Sequence, residues 1–375
     1  MMVGDKSCWC MRTFSRALHV VFPCVFRMLL IAVPLLNHGT AFAGASAGAR
    51  IPLLLTAAIQ ENSAGKDNDQ PPLTEMKFIS SLDQTEQPVL FHAPASATEQ
   101  KTPILVFLHS WSGDYRQNNS DWLREAVTRG WIYLHPNFRG RNDHPEACGS
   151  RLARQDILDA LALMSSRFQL DPECIYLAGV SGGGHMSMLM AGHHPDRFSA
   201  VSAWVGISDL EDWHRFHLKK NMENGYHRMI EASLGGAPGV SPERDADYRD
   251  RSPIHWLHRT GDLPVELAAG VHDGHTGSVP VSHSLRAFNV IARAGGYPMV
   301  TDDELNQLTV NRSLRNPMPS DLATDETLGR KIHLRRIAGV SRVTVFEGGH
   351  EGLPAAACGW LQQQRRRAKP SATGN

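Results

Sequence analysis

Apolar and polar positions along the chain follow two rhythms that alternate. Short apolar runs bounded by Gly, Pro or Asp predict strands at 75–80, 88–92, 103–109, 131–135, 173–178, 199–205, 264–270 and 342–347. Between them, apolar residues recur at helical spacing near 118–129, 151–168, 183–192, 282–294 and 353–366. Runs such as Ile104-Leu-Val-Phe-Leu108 are apolar on both faces, the pattern of a strand covered on two sides. The expectation is an α/β fold with a mostly parallel eight-stranded sheet and helices on both faces, opened by an antiparallel pair.

Two stretches exceed simple connections. Residues 207–262 are rich in Trp, His and Arg; residues 297–340 hold a short helical pattern at 301–311 and end in Lys331-Ile-His-Leu-Arg-Arg336. Connections of this length in a compact domain are usually lids or binding loops. The first is read as a lid-like insertion, and the second is open between a lid and surface padding.

The N-terminus changes the picture. Lys6, Arg12, Arg16 and Arg27 precede the apolar run Met28–Leu36, and Ala41-Phe-Ala43 supplies a small-x-small cleavage site. Residues 1–43 therefore read as a signal peptide, 44–73 as a linker or N-terminal extension, polar from residue 60, 74–366 as the α/β domain with the two long stretches as insertions, and 367–375 as a tail, with a secreted or periplasmic destination. The alternative is a membrane anchor, but the apolar run, interrupted by Pro34, falls short of the roughly 20 residues a span needs. Acidic and basic residues balance at 38 each, which argues against a nucleic-acid partner. Cys148, Cys174 and Cys358 follow the signal; spacing does not choose between one disulfide and three inert thiols.

Candidate chemistry begins at Gly179-Val-Ser181-Gly-Gly183, set between the strand at 173–178 and the helix at 183–192. A G-x-S-x-G at a strand-to-helix turn is the nucleophile elbow of α/β-hydrolases, because glycines beside the serine let the neighbouring segments close on it. A serine hydroxyl needs a base to take its proton, and that base needs an acid to orient it, in the chain order Ser, Asp/Glu, His. Val343-Thr-Val-Phe-Glu-Gly-Gly-His350 places His350 beyond the last strand. Gly270-Val-His-Asp273 and Val201-Ser-Ala-Trp-Val-Gly-Ile-Ser-Asp209 offer two acids, of which the Gly-x-x-Asp turn favours Asp273; a helix cap is the alternative for Asp209. The oxyanion hole is expected from the amide of Gly182 and from the loop His109-Ser-Trp-Ser-Gly113, by Trp111 or its neighbour Ser110. Trp213 and Trp256 are candidates for lining a substrate cleft, and Arg335 and Arg336 for meeting a substrate carboxylate; core packing and ion pairing are the alternatives. His272 and His275 lack a ligand frame, so neither metal nor cofactor is expected.

In combination, Leu108-His-Ser-Trp-Ser-Gly113, Pro136-Asn-Phe-Arg-Gly140, Gln155-Asp-Ile-Leu-Asp-Ala160, the elbow, Gly270–Asp273 with Val279-Pro280, and Gly348-Gly-His350 resemble an α/β-hydrolase of the prolyl-oligopeptidase catalytic-domain type, from about residue 74 to 366. That group also contains acetyl-xylan-esterase-like and dienelactone-hydrolase-like enzymes. The chain departs from its pattern in having Ser110 where the family often has Gly, and in the residues Gly274-His-Thr-Gly-Ser278 before Val279-Pro280. About 30 residues between the predicted cleavage site and the first strand are too few for the β-propeller of the family's oligopeptidases. The resemblance implies a serine hydrolase with an acyl-enzyme intermediate. An esterase acting on a small-molecule or carbohydrate ester is favoured over a peptidase of short peptides, and a non-catalytic binding module is the remote third reading.

Overall fold

The structure, a computed structural model, describes residues 71–220 and 225–366. The predicted signal peptide, the linker up to residue 70 and the 367–375 tail lie outside the described residues. Nine strands form one sheet among those residues: β1 (Thr74–Ile79), β2 (Glu86–His92), β3 (Thr102–Leu108), β4 (Ile132–Pro136), β5 (Leu170–Val180), β6 (Ala200–Trp204), β7 (Val265–Gly270), β8 (Ile332–Ala338) and β9 (Ser341–Phe346). Their order is β1-β2-β4-β3-β5-β6-β7-β9-β8. Strands β4, β3, β5, β6, β7 and β9 run parallel, while β1–β2, β2–β4 and β8–β9 pair antiparallel. The fold is α/β, and the sheet is mostly parallel as its apolar runs implied.

The helices are α1 (Ser120–Thr128), α2 (Arg151–Arg167), α3 (Gly182–His193), α4 (Leu210–Lys220), α5 (Tyr226–Leu234), α6 (Pro242–Asp250), α7 (Ser282–Ala294), α8 (Asp302–Asn306) and α9 (Pro354–Gln362). Strand alternation splits the core in two. Ile104, Val106 and Leu108 of β3 pack with α2, α3 and α7, while Leu105 and Phe107 pack with α1 and α9. Every residue of α3 from Gly182 to Gly192 is buried, as expected of a helix apolar all round. A third apolar cluster under the 207–262 insertion joins Trp213, Leu210, Ile230 and Tyr248 to Trp111 and Val279.

The ninth strand corrects the expected eight. Strand β8 forms inside the 297–340 stretch and meets β9 through a hairpin in which Gly339 takes φ +61°. Its residues alternate in burial, but Arg336 occupies an inward position, paired with Asp321 and Glu304. A charge on the buried face broke the apolar alternation that marks a strand. The 207–262 insertion folds as α4, α5 and α6 with two short turns of 3₁₀ helix. The three cysteines in the described residues are free and buried. Burial pushes the Cys148 and Cys358 thiols up to about 12, which leaves them unreactive at neutral pH. Among the described residues, no helix is long and apolar enough to cross a membrane.

Candidate active site

Ser181 stands at the turn from β5 into α3 with φ +60° and ψ −115°. This is a strained conformation for a residue with a side chain. The glycines around it explain how the turn closes. A Cβ on Gly179 would lie 2.4 Å from the Gly183 carbonyl carbon, and one on Gly183 would lie 2.1 Å from the Leu108 carbonyl oxygen. The Ser181 amide donates to the Trp204 carbonyl at 2.9 Å, tying the elbow to the end of β6.

The loops after β7 and β9 meet beside it. A Cβ on Gly270 would sit 2.2 Å from the Gly349 carbonyl oxygen, so this contact demands glycine. His350 Nε2 lies 2.8 Å from Ser181 Oγ, and His350 Nδ1 lies 2.7 Å from Asp273 Oδ2. A carboxylate only accepts, so Nδ1 carries the proton toward Asp273 and Nε2 keeps its lone pair toward Ser181. Asp273 is buried, and its Oδ1 accepts from the amides of Gly274 (2.9 Å) and Val279 (3.1 Å). These bonds fix the carboxylate rotamer. Asp209, the other candidate acid, accepts from the amides of Glu211 and Asp212 and caps α4.

Of the expected oxyanion donors, Gly182 and Trp111 come together. A Cβ on Gly182 would lie 2.3 Å from the Trp111 nitrogen, and neither amide has an acceptor among the described residues. Ser110 does not belong with them. Its amide donates to Gln117 Oε1 at 2.9 Å and its hydroxyl to the same oxygen at 2.6 Å, so the donor is already engaged. Beside this loop lies a cleft of about 880 Å³, bordered by Lys77, Asp114, Arg116 and Arg141 but by none of the Ser181, Asp273 and His350 group.

The four residues expected to bind substrate are turned toward internal partners. Trp213 is fully buried, packs edge-on against Trp111 at 4.7 Å, and donates its indole N–H to the Ser278 carbonyl at 2.8 Å. Trp256 packs against Gly192 at the far end of α3, about 15 Å from Gly182 at 1.5 Å per residue. Arg335 pairs with Asp325 at 2.9 Å, and Arg336 with Asp321 and Glu304, within the β8 edge. All four are held by internal partners, Trp256 through its indole N–H to the Asp250 carbonyl at 2.9 Å. Paired arginines on the strand next to the one that leads into His350 read the same in sequence whether they face substrate or a neighbouring carboxylate.

Two residues near the site escaped sequence reasoning. His217, one turn after Trp213 on α4, donates Nε2–H to the same Ser278 carbonyl at 2.8 Å. Burial pushes its imidazole down to about 4, so it is neutral near pH 7. Ser278 Oγ lies 3.2 Å from His350 Nε2. The i, i+4 spacing of Trp213 and His217 was visible, but its target, a loop carbonyl, has no sequence mark. Among the described residues, no cluster of His, Cys, Asp or Glu is placed to hold a metal ion.

Elbow, sheet order and loop placement together define an α/β-hydrolase-like serine hydrolase. The model of the prolyl oligopeptidase family matches residues 117–304, half of the sequence, and the chain belongs to that family. It is similar to dipeptidyl-peptidase 5 of Porphyromonas endodontalis, at 26% identity over 53% of this chain and 27% of that protein. It is equally similar to feruloyl esterase B of Talaromyces stipitatus, at 26% identity over 48% of this chain and 46% of that one. Among solved structures, the acylaminoacyl peptidase of Pyrococcus horikoshii superimposes with a TM-score of 0.55 at 15% identity, covering 81% of this chain and 43% of its own. The chain thus spans between a quarter and a half of the length of these relatives.

Proposed function

We propose that the protein is an ester hydrolase in which Ser181 is the nucleophile, His350 the general base and acid, and Asp273 the group that orients His350. The observation that carries this reading is the continuous path from Asp273 Oδ2 through both nitrogens of His350 to Ser181 Oγ, at 2.7 and 2.8 Å. As Ser181 Oγ attacks the acyl carbon, its proton passes to His350 Nε2, and the amides of Gly182 and Trp111 receive the developing oxyanion. The C–O bond to the alcohol breaks and that oxygen takes the proton from Nε2. Water then repeats the sequence on the acyl-enzyme and regenerates Ser181. A small-molecule or carbohydrate ester is the favoured substrate, supported by the match to a feruloyl esterase over 46% of that enzyme, against 27% of the dipeptidyl peptidase. The peptidase relative supports cleavage of short peptides as the second reading.

A panel of p-nitrophenyl and feruloyl esters against aminoacyl and dipeptidyl p-nitroanilides, with Ser181→Ala as control, tests both. The ester reading expects higher kcat/KM on the esters; faster cleavage of the anilides sinks it. Residues 1–43 support a further proposal, export through a cleaved signal, checked by the N-terminal sequence of the mature protein.

A further inference from the structure

Ser278 ends the segment Gly274-His-Thr-Gly-Ser278 that separates Asp273 from Val279. Its Oγ lies 3.2 Å from His350 Nε2, the nitrogen that Ser181 Oγ meets at 2.8 Å. A neutral imidazole nitrogen has one lone pair in the ring plane, so the two hydroxyls cannot both donate to it fully. Ser181 is the closer and holds that bond. The Ser278 hydroxyl stands beside the ring with its hydrogen free for another acceptor. Any leaving alcohol or incoming water must also come within hydrogen-bond reach of Nε2 to exchange its proton. Ser278 therefore borders the place where the second reactant of each half-reaction binds.

The segment is held there. Trp213 Nε1 and His217 Nε2 both donate to the Ser278 carbonyl at 2.8 Å, and Lys220 Nζ reaches the carbonyls of Gly274 (3.5 Å) and Gly277 (3.4 Å). On the other side, Gly277 packs so closely on Asp273 that a Cβ would lie 2.1 Å from Oδ1. Helix α4 and the acid thus clamp the segment between them, which sets where the Ser278 hydroxyl points.

We infer that Ser278 is a positioning residue for the hydrolytic water, an inference that rests on Ser181 being the acylated nucleophile. In deacylation, water forms a new C–O bond to the acyl carbon and gives one proton to His350 Nε2. The tetrahedral species collapses by breaking the C–O bond to Ser181, whose oxygen takes that proton back. Ser278 neither gains nor loses a proton. It hydrogen-bonds the water and directs its lone pair at the acyl carbon.

Stopped-flow turnover of p-nitrophenyl acetate separates the two steps. Ser278→Ala is expected to acylate within about twofold of the wild-type rate and to deacylate about tenfold more slowly, the effect of one lost hydrogen bond. A full burst appears, kcat and KM fall together, and kcat/KM is preserved. Ser278→Thr, which keeps the hydroxyl, restores deacylation. Equal loss in both steps, an unchanged rate or a faster rate in Ser278→Ala overturns the inference. Fluorophosphonate labelling keeps it apart from the broader reading: wild type labelled at Ser181 with an indifferent Ser278→Ala sinks the role of Ser278 alone, whereas activity surviving in Ser181→Ala sinks the nucleophile assignment.

Discussion

The two ends of α3 are built from the same kinds of residue, yet only one is arranged for chemistry. At the N-terminal end, Ser181, His350 and Asp273 meet beside Trp111 and Trp213. At the C-terminal end, His193 lies against Trp256 at 4.3 Å, Arg154 Nη1 faces His193 Nε2 at 2.8 Å, and Arg154 pairs with Asp250 at 2.9 Å. Both ends hold a histidine, a carboxylate and a tryptophan. They differ in what the histidine's Nε2 meets. His350 directs it at a hydroxyl on a strained turn, whereas the Nε2 of His193 is taken by a guanidinium. The residue types define neither site; the partner of one nitrogen does.

The largest effect that breaks the comparison belongs to the N-terminal end. Ser181→Ala is expected to lower kcat by at least about 10⁴-fold. Its melting temperature should stay level or rise, because the substitution removes a polar group from a strained, largely buried position. Retained turnover in this variant would show that the two ends differ less than their geometry implies.

The C-terminal end answers with stability. Arg154→Met removes the bond to His193 and the pair with Asp250, and chemical denaturation should report a loss of about 2 kcal/mol with turnover unchanged. The loss stays below that of a fully buried pair because Asp250 is 42% exposed and rehydrates. A fall in kcat without a fall in stability would contradict a purely structural role for this end.

Much of this contrast was legible in the sequence. The eight apolar runs fell on strands because each is a buried element punctuated by Gly, Pro or Asp, and the order Ser181, Asp273, His350 follows the sheet's carboxyl edge. The remainder was hidden for identifiable reasons. Strand β8 carries Arg336 on its inner face; Ser110 loses its amide to a side chain seven positions on; and Trp213, Trp256, Arg335 and Arg336 are all satisfied by partners that no local pattern marks, six residues away for Trp256 and 65 for Trp213. Aromatic and arginine residues announce that they will be held, and only the fold says by what.

Acid sharpens the comparison further. Burial, with the Arg154 charge adding to it, pushes the His193 imidazole down to about 4, and burial does the same to His185 and His217. In the unfolded chain these groups return to about 6.5. As pH falls below that value the unfolded state takes up protons first, so their contribution to stability is complete above about pH 6.5 and is lost as pH falls toward about 4. The melting temperature should decline across that window, and His193→Asn should decline less steeply while its activity at pH 7 is unchanged. An identical slope in the two proteins would remove His193 from the account.

The smallest effect is also the most controlled. Trp213 and Trp256 come from the same insertion and each donates one indole N–H to a backbone carbonyl, Ser278 at 2.8 Å and Asp250 at 2.9 Å. Phenylalanine at either position deletes that donor and keeps an aromatic ring. Each variant should lose about 1 kcal/mol of stability, the net worth of one hydrogen bond. Only Trp213→Phe should also alter catalysis, by about threefold in kcat, because its carbonyl partner carries the segment that ends at His350 Nε2. Equal kinetics in the two variants would mean that His217 alone holds Ser278, and the double variant Trp213→Phe, His217→Phe would then show the whole effect.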